Sequence, residues 1–106
     1  MTIMKTYYIY IMSSKNNRVL YVGATDDIKR RTFEHKTKKY RTSFSAKYNI
    51  DWLVYYEIIS GSWDEVLIRE KQLKKWNRAW KIRLIQEQNE DWFDLSNDWD
   101  FSIYID

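Results

Sequence analysis

Cysteine is absent from this 106-residue chain, so disulfides, thiolate zinc sites and cysteine nucleophiles are excluded together. A single histidine, His35, argues against a metal centre built from imidazoles. There is no proline, no linker composition and no internal repeat, and only two glycines punctuate the chain. No apolar run approaches the length of a membrane span, and Met1-Thr2-Ile3-Met4-Lys5 lacks the apolar core of a signal peptide. A cytoplasmic location and no membrane partner are the expectations. The chain reads as one domain over residues 1–106, with residues 89–106 an acidic, aromatic C-terminal tail.

What the chain has instead is aromatic surface and divided charge. Aromatics make up 18% of the residues, enough burial per residue to fold without a staple. The net charge of +3 conceals a strong asymmetry. Residues 1–86 carry all 18 Lys and Arg against 8 acids, whereas residues 87–106 carry seven acids and no base. Eight basic residues fall between Lys29 and Lys47 and seven between Arg69 and Arg83. Clusters of this kind attract polyanions; the other reading is a solvated helix face balanced by the tail.

The β-branched and aromatic run Tyr7–Met12, the polar turn Ser13–Asn17 and the run Val19–Gly23 predict a hairpin. Asp26 or Thr25 can cap a helix running through Ile28, Arg31, Phe33 and His35. Lys36–Asn49 reads mainly as a loop, and Trp52–Ile59 as a further strand. Ser62 and Glu65 have capping-box spacing ahead of a helix with Val66, Leu67, Leu73 and Trp76 on one side. A bend at Asn77-Arg78 leads into a last helix. The order β-β-α-β-α-α predicts an α+β fold with a small, three-stranded, mostly antiparallel sheet flanked by helices. The tail is expected to wrap the body through Trp92, Phe93 and Trp99, or to compete with a polyanion for the basic face.

Chemistry concentrates in a few places. Tyr10 and Tyr21 lie on paired strands, where cross-strand neighbours approach within about 5 Å. A phenol near pKa 10 is ionised to roughly one part in a thousand at neutral pH, so a basic tyrosine needs a cation beside it. Arg31 and His35 share a helix face at i,i+4 and suit a phosphate and a proton. Glu70 interrupts an apolar stripe. Burying it unpaired costs several kcal/mol, so it must meet either an arginine or a divalent ion such as Mg²⁺.

The triplets Tyr8-Ile9-Tyr10 and Tyr21-Val22-Gly23, ten residues apart, then Arg31-x-x-x-His35 and Glu70, resemble the GIY-YIG nuclease superfamily. Leu53-Val54-Tyr55-Tyr56-Glu57 and Arg69-Glu70-Lys71-Gln72-Leu73-Lys74-Lys75-Trp76 resemble its small bacterial branch of uncharacterised proteins. Tyr8 stands where the first glycine of the name would be, and Val22 replaces isoleucine.

The resemblance implies a DNA endonuclease hydrolysing phosphodiesters with one Mg²⁺ or Mn²⁺ held by Glu70. Tyr10 or Tyr21 would deprotonate the water while the other positions the phosphate. Arg31 would stabilise the transition state, with His35 assisting. Asn89, in the segment Asn89-Glu90-Asp91-Trp92, or its rival Asn77, would fill the family's asparagine position. Lys29, Arg30, Lys36, Lys38, Lys39, Arg41, Lys74 and Lys75 are the expected DNA-binding cations. No attached DNA-binding domain is expected. Branched, flapped or single-stranded DNA is therefore the favoured substrate, in repair, recombination or processing, unless a partner protein supplies targeting. A non-cleaving or partner-dependent nucleic-acid-binding module on the same fold is the alternative, and a monomer is expected.

Overall fold

The central strand forms where aromatic and β-branched residues run longest. In a computed structural model, which describes residues 5–39, 43 and 47–105, Lys5–Ser13 is strand β1. It pairs antiparallel with β2 (Leu20–Thr25) on one side and β3 (Trp52–Gly61) on the other, giving the order β2-β1-β3. Both flanking strands run past their expected C-terminal limits, because pairing with β1 recruits residues of weak intrinsic preference such as Ala24 and Ser60. Helix α1 is Ile28–Lys36, α2 is Trp63–Lys75 and α3 is Arg78–Gln88. A short 3₁₀ turn at Ser102–Tyr104 closes the chain. The α+β class and the order β-β-α-β-α-α are as the sequence predicts.

Alternation along β1 divides the core. Ile9 and Ile11 face Val22, Val54 and Tyr55 beneath Val66 and Leu73 of α2 and Ile85 of α3. Tyr10 and Met12 face the other way, against Ile28 of α1, Ile50 and Leu53. Three successive residues of β3, Leu53, Val54 and Tyr55, are buried. A register shift explains this break in alternation: Ile11 pairs with Tyr55 but Met12 pairs with Leu53, leaving Val54 as the extra residue of a bulge.

Caps set the helix starts. Asp27, one residue beyond the Thr25 and Asp26 expected from sequence, accepts from the Arg30 N–H at 3.1 Å and fixes the phase of α1. Ser62 accepts from the Glu65 N–H at 3.3 Å, and Asn77 from the Trp80 N–H at 2.9 Å. Removing such a cap costs about 1 kcal/mol.

The segment after α3 covers the outer edge of β3. Gln88 brackets Tyr56, accepting from its N–H and donating to its carbonyl, and the Leu95 N–H donates to Leu53 at 2.7 Å. Asp94 accepts from the Leu53 N–H and pairs with Lys36 at 2.6 Å. Trp99 packs on Tyr56, while Phe101 and Tyr104 pack on Phe33 of α1. Trp92 joins the core beneath α2 and α3, but Phe93 stands exposed, so Leu95, Phe101 and Tyr104 do the anchoring assigned to Phe93 from sequence.

Candidate active site

The site grows from one residue that lacks a side chain. Gly23 is the β2 partner of Tyr10, and the Tyr10 ring lies across it. A Cβ at Gly23 would stand 2.9 Å from Tyr10 Cε1 and closer still to Cζ and Oη. Tyr21, two residues before Gly23, shares that face and flanks Tyr10 diagonally rather than directly, with ring centroids 6.2 Å apart. Helix α1 lies over the same face. Its Asp27 cap and i,i+4 spacing bring Arg31 and His35 down onto the two phenols.

Tyr10 is the hub. Its hydroxyl lies 3.0 Å from His35 Nε2, and Arg31 Nε donates to it at 3.2 Å. Arg31 also lies close enough to Tyr21 for that phenol to favour the guanidinium charge. Tyr10 is 1% exposed, and that burial raises its pKa well above the usual phenol range, although Arg31 pulls the other way. Burial works against the charge of Arg31 too, but the phenol oxygens of Tyr10 and Tyr21 more than offset it, leaving the guanidinium firmly charged.

His35, 4% exposed, is carried down to a pKa of about 4 by burial and by the Arg31 charge, with Glu34 acting in the opposite sense. Its imidazole is therefore neutral at neutral pH. The consequence for stability follows by linkage: an unfolded histidine binds its proton near pH 6.5, the folded one only near 4. Stabilisation from this group is complete above about pH 6.5 and is lost as pH falls towards 4, by up to about 3 kcal/mol. Denaturant titrations between pH 7 and 4 should show this slope, and His35→Gln should flatten it. An unchanged slope in the variant would mean that His35 is not the group.

Glu70 approaches from α2, one turn after Val66 and just before Leu73, both fully buried. Its side chain is 17% exposed and pairs with Lys74 at 3.5 Å. The cation it meets is thus a lysine on its own helix, not the arginine considered from sequence. The carboxylate is near enough to Tyr10 to oppose ionisation of the phenol. The structure therefore assembles Tyr10, Tyr21, Arg31 and His35 around Gly23, with Glu70 on α2 within electrostatic reach of Tyr10.

Asn89 is not placed with them. Buried at the end of α3, it donates to the carbonyls of Val54 and Phe93 and accepts from the Phe93 N–H at 3.0 Å. Asn77 is occupied as a helix cap. Among the expected DNA-binding cations, Lys36 is bound to Asp94 and the Asp51 carbonyl, while Arg30 and Lys39 pair with Glu34. Lys29, Lys38 and Lys75 form no ion pair among the described residues, and Arg41 lies outside the described residues.

Two residues of the site had no role in the sequence reading. Gly23 gives Tyr10 its space. Glu34 gathers Arg31 at 3.3 Å, Arg30 at 3.6 Å and Lys39 at 3.2 Å. Burial pushes the Glu34 carboxyl up, but hydrogen bonds from Lys39 and Arg31 carry it below the usual range. Only its i,i+3 spacing from Arg31 could have signalled this.

Among the described residues there is no group of three or more His, Asp or Glu able to cage an ion. The donor set suits a cation held by one carboxylate together with waters and substrate oxygens, as Mg²⁺ is commonly bound. No helix among the described residues is long and apolar enough to cross a membrane.

The chain is similar in sequence and fold to known proteins. Residues 6–83 match the family model described as the GIY-YIG catalytic domain. A UPF0213 protein of Syntrophus aciditrophicus is 36% identical over 87 residues, covering 82% of this chain and 98% of the relative. A UPF0213 protein of Staphylococcus haemolyticus is 34% identical over 89 residues, covering 80% and 100%. The solution structure of a UPF0213 protein from Bacillus halodurans has the same fold, with a TM-score of 0.52 at 22% identity over 88% of this chain and 97% of that one.

Proposed function

This chain belongs to the GIY-YIG family, a nuclease superfamily acting on DNA, and from its site we propose that it is a metal-dependent endonuclease that hydrolyses DNA phosphodiesters. The observation carrying this reading is the cluster at Gly23: two phenols, a guanidinium and a neutral imidazole within hydrogen-bonding or ring contact, with the Glu70 carboxylate within electrostatic reach of Tyr10. A nucleic-acid-binding module needs cations, but it has no use for a largely buried carboxylate at Glu70.

Glu70 would hold Mg²⁺ or Mn²⁺, which when bound supplies Lewis-acid polarisation of a phosphate oxygen. Arg31, whose charge is secured by the two phenols and by Glu34, stabilises negative charge on the phosphate. The Arg31 Nε can only donate, so the Tyr10 oxygen accepts from it, while the direction of the bond between Tyr10 and His35 Nε2 follows the His35 tautomer. Tyr10 and His35 then orient the guanidinium, and a sealed, high-pKa phenol is poorly suited to meet water. Tyr21 is less buried than Tyr10, so it is the phenol that water can reach, and it lies beside Arg31. Tyr21 is therefore assigned the attacking water. Asn89 and Asn77 take no part.

The test is cleavage of labelled single-stranded, duplex, flapped and branched DNA with Mg²⁺ or Mn²⁺. Tyr21→Phe should lose about 10²- to 10⁴-fold in rate, the range for a positioned general base. Tyr10→Phe should lose less and retain metal dependence. The opposite ranking would move the base role to Tyr10. Binding without cutting on every substrate would favour the non-cleaving module.

A further inference from the structure

Positive charge on this protein falls into two populations. Around α1 most of it is neutralised from within, by Glu34 on Arg30, Arg31 and Lys39 and by Asp94 on Lys36, with Lys29 and Lys38 outside these pairs. At the elbow between α2 and α3 it is not. Among the described residues, Lys71, Lys75, Arg78, Lys81 and Arg83 form no ion pair with a carboxylate, while Arg78 reaches the Asn17 carbonyl on the β1–β2 turn. Burial and the Arg78 charge hold Lys81 below the usual lysine range, which is how cations without a counter-charge behave.

An aromatic cleft opens in the same place. Trp80, Arg83, Leu84 and Glu87 form one stripe of α3, and Trp76 closes the other side around a cleft of about 210 Å³. The two indoles meet edge to face, with centroids 5.7 Å apart at 85°. Trp76 is a fixed wall: the Arg69 guanidinium stacks on it at 5.4 Å and is itself held by Glu57 at 2.9 Å and Gln72 at 2.8 Å. Trp80, by contrast, is 52% exposed and has a face to offer.

We propose that this elbow, rather than α1, is the main nucleic-acid interface, and that the cleft takes one unpaired base of the DNA strand, stacked on Trp80. The proposal rests on the endonuclease reading and names its substrate class: DNA with an unpaired segment beside the cut. Stacking selects for an unpaired base because a paired one has no face to give. The surrounding cations take the flanking phosphates. Glu87 repels phosphate, so the base edge faces it, with an exocyclic amino group donating to the carboxylate. Trp76 lies six residues beyond Glu70, so a strand from the catalytic carboxylate follows α2 for about 9 Å and passes roughly a third of a turn round it.

The test separates binding from cutting. Affinity for a short labelled single strand and for its duplex is measured in chelator over a range of salt, with folding checked by thermal melting. Trp80→Ala should weaken single-strand binding by about 5- to 150-fold and change duplex binding little. Trp80→Phe should restore most of the loss. Replacing Lys75 and Arg83 together with glutamine should reduce the single-strand salt slope by about 1.4, the value for two lost phosphate contacts. Equal affinity in wild type and Trp80→Ala, or equal losses on both DNAs, overturns the cleft. If wild type cuts with Mg²⁺ while Trp80→Ala binds normally, the cleft is wrong and the nuclease reading stands. Trp80-dependent binding by a wild type that cuts nothing leaves the cleft in place and removes the nuclease reading.

Discussion

Glu70→Gln is expected to abolish metal-dependent cleavage, by on the order of 10³-fold or more, while leaving the protein folded. The magnitude is that of losing a principal electrostatic contribution to the transition state. Stability should barely move, because glutamine keeps the shape, relieves the cost of holding a largely buried charge, and gives up only the i,i+4 pair with half-exposed Lys74, worth about 0.3–0.5 kcal/mol. DNA binding in chelator should be unchanged or tighter, since a negative charge leaves a positive surface. The combination is diagnostic. A structural carboxylate would take stability down with activity, whereas a metal-holding one takes activity alone. Undiminished cutting by the variant with Mg²⁺ would sink the assignment of the metal to Glu70, and a Tm fall of several degrees without loss of rate would make it a packing residue.

The sequence made the sheet legible because β1 and β3 are long, β-branched and aromatic, and those signals are local. Glu70 was legible for a related reason: a carboxylate on the stripe of Val66 and Leu73 stands out against helical periodicity. Features that depend on contacts distant in the chain were not legible. The bulge at Val54 is a relation between β1 and β3, and no turn residue announces it. Lys36 looks like a solvent-facing cation until Asp94, fifty-eight residues away, is placed against it. Basic residues near α1 were counted as DNA contacts because linear charge density cannot show that Glu34 faces three of them. Asn89 likewise looked available for chemistry, but its amide braces the chain between Val54 and Phe93. In each case the missing information was the partner.

Gly23→Ala is expected to be the most damaging single-methyl change in the chain, and its sign runs against the usual rule. Gly23 is not among the residues with positive φ, unlike Gly61, so its backbone would accept alanine. In an ordinary strand that replacement would stabilise by about 0.5–1 kcal/mol. Here the new methyl falls 2.9 Å from Tyr10 Cε1 and nearer still to Cζ and Oη, in a ring that is 1% exposed and cannot swing aside without leaving Arg31 and His35. Overpacking of this kind costs about 1–3 kcal/mol, and weakened hydrogen bonds to the charged Arg31 add to it. The expected fall in Tm is about 10 °C. Cleavage, measured below the melting range, should fall by on the order of 10²-fold, because displacement of the phenol carries the guanidinium with it. A double-mutant cycle isolates the cause. In a Tyr10→Leu background there is no ring for the methyl to meet, so adding Gly23→Ala should cost little and the two changes should be strongly non-additive. Additive losses would mean that Gly23 serves the backbone of β2 rather than the placement of Tyr10.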